Sequence, residues 1–183
     1  MKKLLAFLLA LILLVSLCAC GSNGDDEEKD PQAEKYEEAC DLYDEGEYAE
    51  AKELFEELGD YEDSKEMVVE CEHGEIEAEL QGTWKNSAFA SAKMYTYNTF
   101  KNGRMDVSLT IDGEESFTNE GDYRIDFEKQ EIYVCYDYTY SLSTSGETTK
   151  KENTEEKMLF TYTFEDGEMS LFDSSNNKLD KES

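Results

Sequence analysis

The sequence predicts an α+β fold, a short helical hairpin with a third helix followed by an antiparallel β-meander or small barrel. Three observations carry this reading. Apolar residues recur at three- and four-residue spacing from Ala33 to about Ala78, which is a helical period. From Leu80 to about Phe172 the period becomes two, interrupted by Asn102-Gly103, Asp112-Gly113, Glu120-Gly121, Ser145-Gly146 and Asp166-Gly167, the turn signals of antiparallel hairpins. The helical stretch precedes all of the strand-like ones, so helices and sheet form separate layers instead of alternating units.

Ahead of the helices, Lys2 and Lys3 precede the apolar run Leu4 to Leu17, the charged and apolar regions of a secretory signal. That run is about 14 residues, short of the roughly 20 that a membrane-spanning helix needs. Small Ala19 then stands before Cys20. The run Leu17-Cys18-Ala19-Cys20 resembles the lipobox of bacterial lipoproteins. The resemblance implies that residues 1–19 are a signal peptide and that a diacylglyceryl group is attached to the Cys20 sulfur. It also implies that the mature chain is extracytoplasmic and lipid-anchored to the bacterial cell membrane. Attachment at Cys18 would put bulky Leu17 at the cleavage position, so Cys20 is preferred. Two acyl chains, at about 0.8 kcal/mol per buried CH₂, hold a protein stably where one chain is marginal.

Removing Lys2 and Lys3 leaves 15 basic against 45 acidic residues, a net charge of −30. Nucleic-acid binding requires clustered Lys and Arg to neutralise phosphates, so no nucleic-acid partner is expected. Anionic lipid and wall polymers are repelled for the same reason, which leaves the anchor to hold the protein at the membrane. Residues 20–32 are polar and acidic, with one Pro, and read as a disordered tether. Asp25-Asp26-Glu27-Glu28 lacks the glycine and the alternating ligand spacing of a calcium loop.

Residues 33–79 read as three helices. Ala33, Tyr36, Ala39, Cys40 and Tyr43 mark the first; Ala51, Leu54, Phe55 and Leu58 mark the second after Gly46. A third, with Met67, Val68 and Cys71, follows Gly59-Asp60 and ends near His73-Gly74 or frays on to Ala78. Gly46, Tyr48, Ala51 and Phe55 stand where a tetratricopeptide repeat has its turn glycine, aromatic, small crossing residue and packing aromatic, so the segment resembles one such repeat. Repeats of that kind bury their core by stacking, so a single unit is expected to lean on the C-terminal domain or on another protein.

Residues 80–175 read as six to eight short antiparallel strands. A two-residue turn at Asn102-Gly103 pairs Phe100 with Met105, Asn98 with Val107, Thr96 with Leu109 and Met94 with Ile111. That register gathers apolar residues on one face and turns Tyr95, Tyr97 and Thr99 outward. Ile132, Val134, Tyr136, Tyr138 and Tyr140 alternate likewise, as do Phe160, Tyr162 and Phe164. Curling or closing the sheet removes its exposed edges. Gly82-Thr83-Trp84, Tyr97-Asn98-Thr99-Phe100 and Gly121-Asp122-Tyr123-Arg124-Ile125 together resemble the lipocalin-like domains of bacterial lipoproteins. Residues 176–183 are expected to form a flexible tail.

No catalytic, cofactor-binding or metal-ligating residues stand out, and an enzyme is not expected. The one histidine, His73, lies in an acidic helical tail with no nucleophile pattern around it. Trp84 is either an aromatic platform or, beside the helix-to-sheet junction, a plug for one end of the sheet. Tyr136, Tyr138 and Tyr140 either fill the core or line an apolar pocket. Tyr95, Tyr97 and Tyr133 could form an exposed aromatic strip. Cys40, Cys71 and Cys135 are an odd set; Cys40 and Cys71 share the helical segment and could pair, but buried free thiols are the ordinary reading. Two functions remain. The favoured one is a non-catalytic protein-interaction module at the cell envelope, with a protein partner on the helical groove. The other is a carrier holding a small apolar ligand inside the sheet.

Overall fold

The computed structural model describes residues 30–142, 148–153 and 155–182, with backbone alone at 139–142 and 148–149. The signal segment, Cys20, nearly all of the tether and the Ser145-Gly146 turn lie outside the described residues.

Helix α1 (Pro31–Glu45) begins inside the segment expected to be tether. The Asp30 carboxylate accepts the Gln32 N–H at 3.0 Å, and Pro31 occupies the first position, where a missing N–H costs nothing. Gly46, at φ +84°, ends the helix in the left-handed conformation. Helices α2 (Tyr48–Leu58) and α3 (Ser64–Leu80) follow. Ala39, Ala51, Phe55, Leu58 and Cys71 form their shared core, with Tyr36 edge-on to Phe55 at 5.7 Å. Cys40 and Cys71 are unbridged, and burial raises both thiol pKa values. Helix α3 does not stop at His73-Gly74. The Tyr48 ring lies against Gly74, where a Cβ would come within 2.6 Å of it, so this glycine admits a neighbour and does not end the helix.

The strands are β1 (Gly82–Asn86), β2 (Met94–Lys101), β3 (Arg104–Ile111), β4 (Glu114–Asp126), β5 (Glu131–Tyr136), β6 (Tyr138–Leu142), β7 (Thr148–Glu152), β8 (Lys157–Glu165), β9 (Glu168–Asp173) and β10 (Asp180–Lys181). Eight form one antiparallel sheet in the order β10-β1-β2-β3-β4-β5-β8-β9, nearly closed into a barrel, while β6 and β7 form a separate ribbon. The β2–β3 register is the expected one, residue for residue. Asn102 and Gly103 both have positive φ, +51° and +77°, as a two-residue hairpin with the strands' own twist requires.

Two expectations are corrected. Glu120-Gly121 is not a turn but lies within β4, opposite Tyr136, where the strands approach too closely for a side chain. Residues 176–182 of the expected tail 176–183 are not free. The Leu179 N–H donates to Leu171 O at 2.8 Å on β9, the Glu182 N–H donates to Thr83 O at 2.8 Å on β1, and Leu179 is only 1% exposed. A single leucine among polar residues gives no period to read, yet it carries the segment that joins the two sheet edges.

The barrel core holds Trp84, Phe100, Met105, Ile132, Val134, Phe160, Leu171 and Leu179. Within it the Tyr162 hydroxyl is buried without a hydrogen-bond partner among the described residues, and burial raises its pKa. Tyr162→Phe is expected to stabilise the fold by about 1 kcal/mol in urea titration, because it removes an unsatisfied polar group and leaves the packing intact. A loss of stability of that size would mean the hydroxyl has a partner.

Candidate functional site at the open end of the barrel

The helices stopper one end of the barrel. Ile76 and Leu80 of α3 pack into its core, and the Trp84 Nε1–H donates to Leu80 O at 2.9 Å. Gln81 links β4 to the β2–β3 turn, donating to the Tyr123 hydroxyl at 2.9 Å and accepting the Asn102 N–H at 3.0 Å. Lys181 lies 5.3 Å from the Trp84 ring and 2.7 Å from the Glu79 carboxylate. Trp84, 2% exposed, therefore serves as a plug and has no free face for a ligand. His73 stacks on Phe127, with 3.8 Å between centroids. The helical unit thus leans on the sheet through the last turns of α3.

The strand register explains what happens at the other end. Inward positions of β2, β3 and β4 form three levels: Phe100, Met105 and Gly121 nearest the helices, then Asn98, Val107 and Asn119, then Thr96, Leu109 and Phe117. The first level is packed solid. Above it the barrel opens into a hollow of about 410 Å³ lined by Thr96, Val107, Leu109, Phe117, Asn119, Tyr136 and Tyr138. Most of this lining is apolar or aromatic, with a few polar groups, the usual make-up of a small-molecule site. Burial pushes the Tyr136 phenol up to about 12, so it stays neutral and able to donate a hydrogen bond. Phe89, Ile111 and Phe117 are exposed large hydrophobics at this same end, while Val69 is the one on the helices among the described residues.

Asp137 sets the shape of the rim. Its N–H donates to Glu120 O at 2.7 Å, its carbonyl accepts the Asn153 N–H at 3.0 Å, and β5 gives way to β6 at this residue. Its carboxylate takes a two-pronged grip from Arg104, Nη1 to Oδ1 at 3.1 Å and Nη2 to Oδ2 at 2.8 Å, while Nη1 also reaches Asp122 at 2.8 Å. These bonds, to Asp137 first, hold the guanidinium pKa above its usual range and the Asp137 carboxyl below its own. The tyrosine row expected along one strand is therefore broken: Tyr136 ends β5 and Tyr138 begins β6, both on the hollow. The Tyr140 side chain lies outside the described residues.

A second hollow, of about 480 Å³, shares Val107, Asn119 and Tyr138 with the first and adds Tyr97, Asp106, Ser108, Glu115, Glu120 and Lys150. The Lys150 ammonium sits 3.5 Å from the Tyr138 ring centroid. The aromatic strip of Tyr95, Tyr97 and Tyr133 is not assembled. β2 and β5 are separated by two strands, with Lys85 over Tyr95 at 4.6 Å and Arg124 over Tyr133 at 4.1 Å. Sequence reasoning found the tyrosines but missed Leu109, Phe117 and the Arg104–Asp137 clamp. The β2–β3 register already put Thr96 and Leu109 on the inward face well away from the helices, with Met94 and Ile111 alone beyond them on that face, and that was the available signal.

Compared with protein-family models, with curated proteins and with solved structures, the chain finds no match in any of the three.

Proposed function

We propose that the chain is an exported, non-catalytic binding protein of the bacterial cell envelope. It is held at the membrane by a diacylglyceryl group on Cys20, and the open end of its barrel carries a small apolar ligand. The observation behind the carrier reading is the 410 Å³ hollow above a solid core, lined by Leu109, Phe117 and Tyr136. The interaction-module reading has less behind it. Apart from exposed Val69, the large apolar residues of the three helices turn into their own cluster or, in the last turns of α3, into the barrel. Support for the anchor comes from the lipobox resemblance and the strongly acidic mature chain.

Mass spectrometry of protein extracted from native membranes tests both halves. The expected result is a mature chain beginning at diacylated Cys20, together with an apolar small molecule in near-equimolar amount that Leu109→Asp abolishes. An unmodified Cys20 thiol would overturn the anchor. The same extract from wild type and from Leu109→Asp, both folded by circular dichroism, would overturn the carrier.

A further inference from the structure

Resting on the reading of the hollow as a ligand site, we infer that its ligand carries a carbonyl oxygen that the Tyr136 hydroxyl binds, with the apolar remainder of the molecule against Val107, Leu109 and Phe117. Register places Tyr136 for this role. It follows Ile132 and Val134 on the inward face of β5 and pairs with Gly121, so no side chain stands opposite it on β4. Tyr136 packs on the barrel core and lines the hollow above it. Among the described residues its hydroxyl has no hydrogen-bond partner, and burial alone raises its pKa.

Other polar groups of the lining are engaged or peripheral. The Asn119 Nδ2–H donates to Tyr138 O at 3.0 Å and its Oδ1 accepts the Glu120 N–H at 3.1 Å. Thr96 stands with Leu109 and Phe117 at the outer level of the lining. A molecule that enters strips water from the Tyr136 hydroxyl and must replace that bond, which a pure hydrocarbon cannot do. A neutral phenol is a good donor and a poor acceptor, because its ring draws on the oxygen lone pair, so the missing partner is an acceptor. No Lys, Arg or His lines the hollow to offset the cost of burying an anion, which selects a carbonyl over a carboxylate or sulfonate.

The test uses the native lipidated protein in vesicles of ether-linked phosphatidylcholine, which has no carbonyls, and alkyl diazirine probes of one chain length ending in a methyl ketone, a methyl group or a sulfonate. Labelled peptides are mapped by mass spectrometry in wild type and in Tyr136→Phe, which keeps the ring and its packing. The ketone probe is expected to lose roughly fivefold of its labelling at residues 105–119 and 134–138 in the variant, about the effect of one hydrogen bond, while the other probes change less than about twofold. An isotope-labelled carbonyl on the crosslinked ketone should also absorb at lower infrared frequency in wild type than in the variant. Repeating the labelling in ester-linked vesicles separates the sources: competition with the ketone assigns the carbonyl to a membrane lipid, and no competition assigns it to a small free compound. Equal losses for the ketone and methyl probes, a larger loss for the sulfonate, or equal carbonyl frequencies would overturn the inference and leave the carrier reading standing. No labelling of these residues by any probe would sink the carrier reading itself.

Discussion

Leu179→Ala is expected to destabilise the protein by roughly 3 kcal/mol, the cost of truncating a fully buried leucine and leaving a cavity. The side chain is 1% exposed, and its backbone segment runs from β9 to β10, the strand hydrogen-bonded to β1. Truncation after residue 176 should do more than subtract this energy, because it strips the partners from two strand edges and invites edge-to-edge association. Urea titration measures the first effect and light scattering the second. A change below about 0.5 kcal/mol for Leu179→Ala is what a free tail would give, and it would contradict the closure described above.

Asp173 makes the closure sensitive to acid. Burial alone would raise its pKa, but bonds from Asn177, Asn86 and the Ser175 N–H outweigh this and hold it below the ordinary value. A depressed carboxyl pKa stabilises the fold at neutral pH, and that contribution is lost as the pH falls through the folded-state value.

The second large effect belongs to Gly121→Ala, which should cost roughly 3 kcal/mol through overpacking. An added Cβ would lie 2.5 Å from Tyr136 Cα and collide with the Cys135 carbonyl oxygen, both backbone groups that cannot rotate away. Gly103→Ala is the control, because its Cβ meets open space and only the positive φ is penalised, at about 1 kcal/mol. Chemical denaturation of the two variants should therefore separate by about 2 kcal/mol. Equal costs would mean that β4 and β5 have room to part at this point.

Local patterns carried much of this fold. Spacing of apolar residues placed the three helices, and Asn102-Gly103 fixed the β2–β3 register because a two-residue turn allows one pairing that puts Phe100 and Met105 on the same face. Glycine was read less well. Gly74 and Gly121 look like Gly46 in sequence, but they make room for the Tyr48 ring and the β5 backbone, contacts between segments far apart along the chain. The tyrosine row was legible as residues and illegible as a site, because its break at Asp137 depends on Arg104, 33 positions away.

The sequence alone determined the α+β order, the inward face of the first hairpin and a composition hostile to polyanions, since period, turn chemistry and charge are local or additive properties. Tertiary structure alone decided which barrel end is plugged and which stays open, and that the final residues close the sheet. Those outcomes depend on which distant side chains meet: Trp84 with the end of α3, Leu179 with β9, and an upper level of Thr96, Leu109 and Phe117 with no helix to fill it.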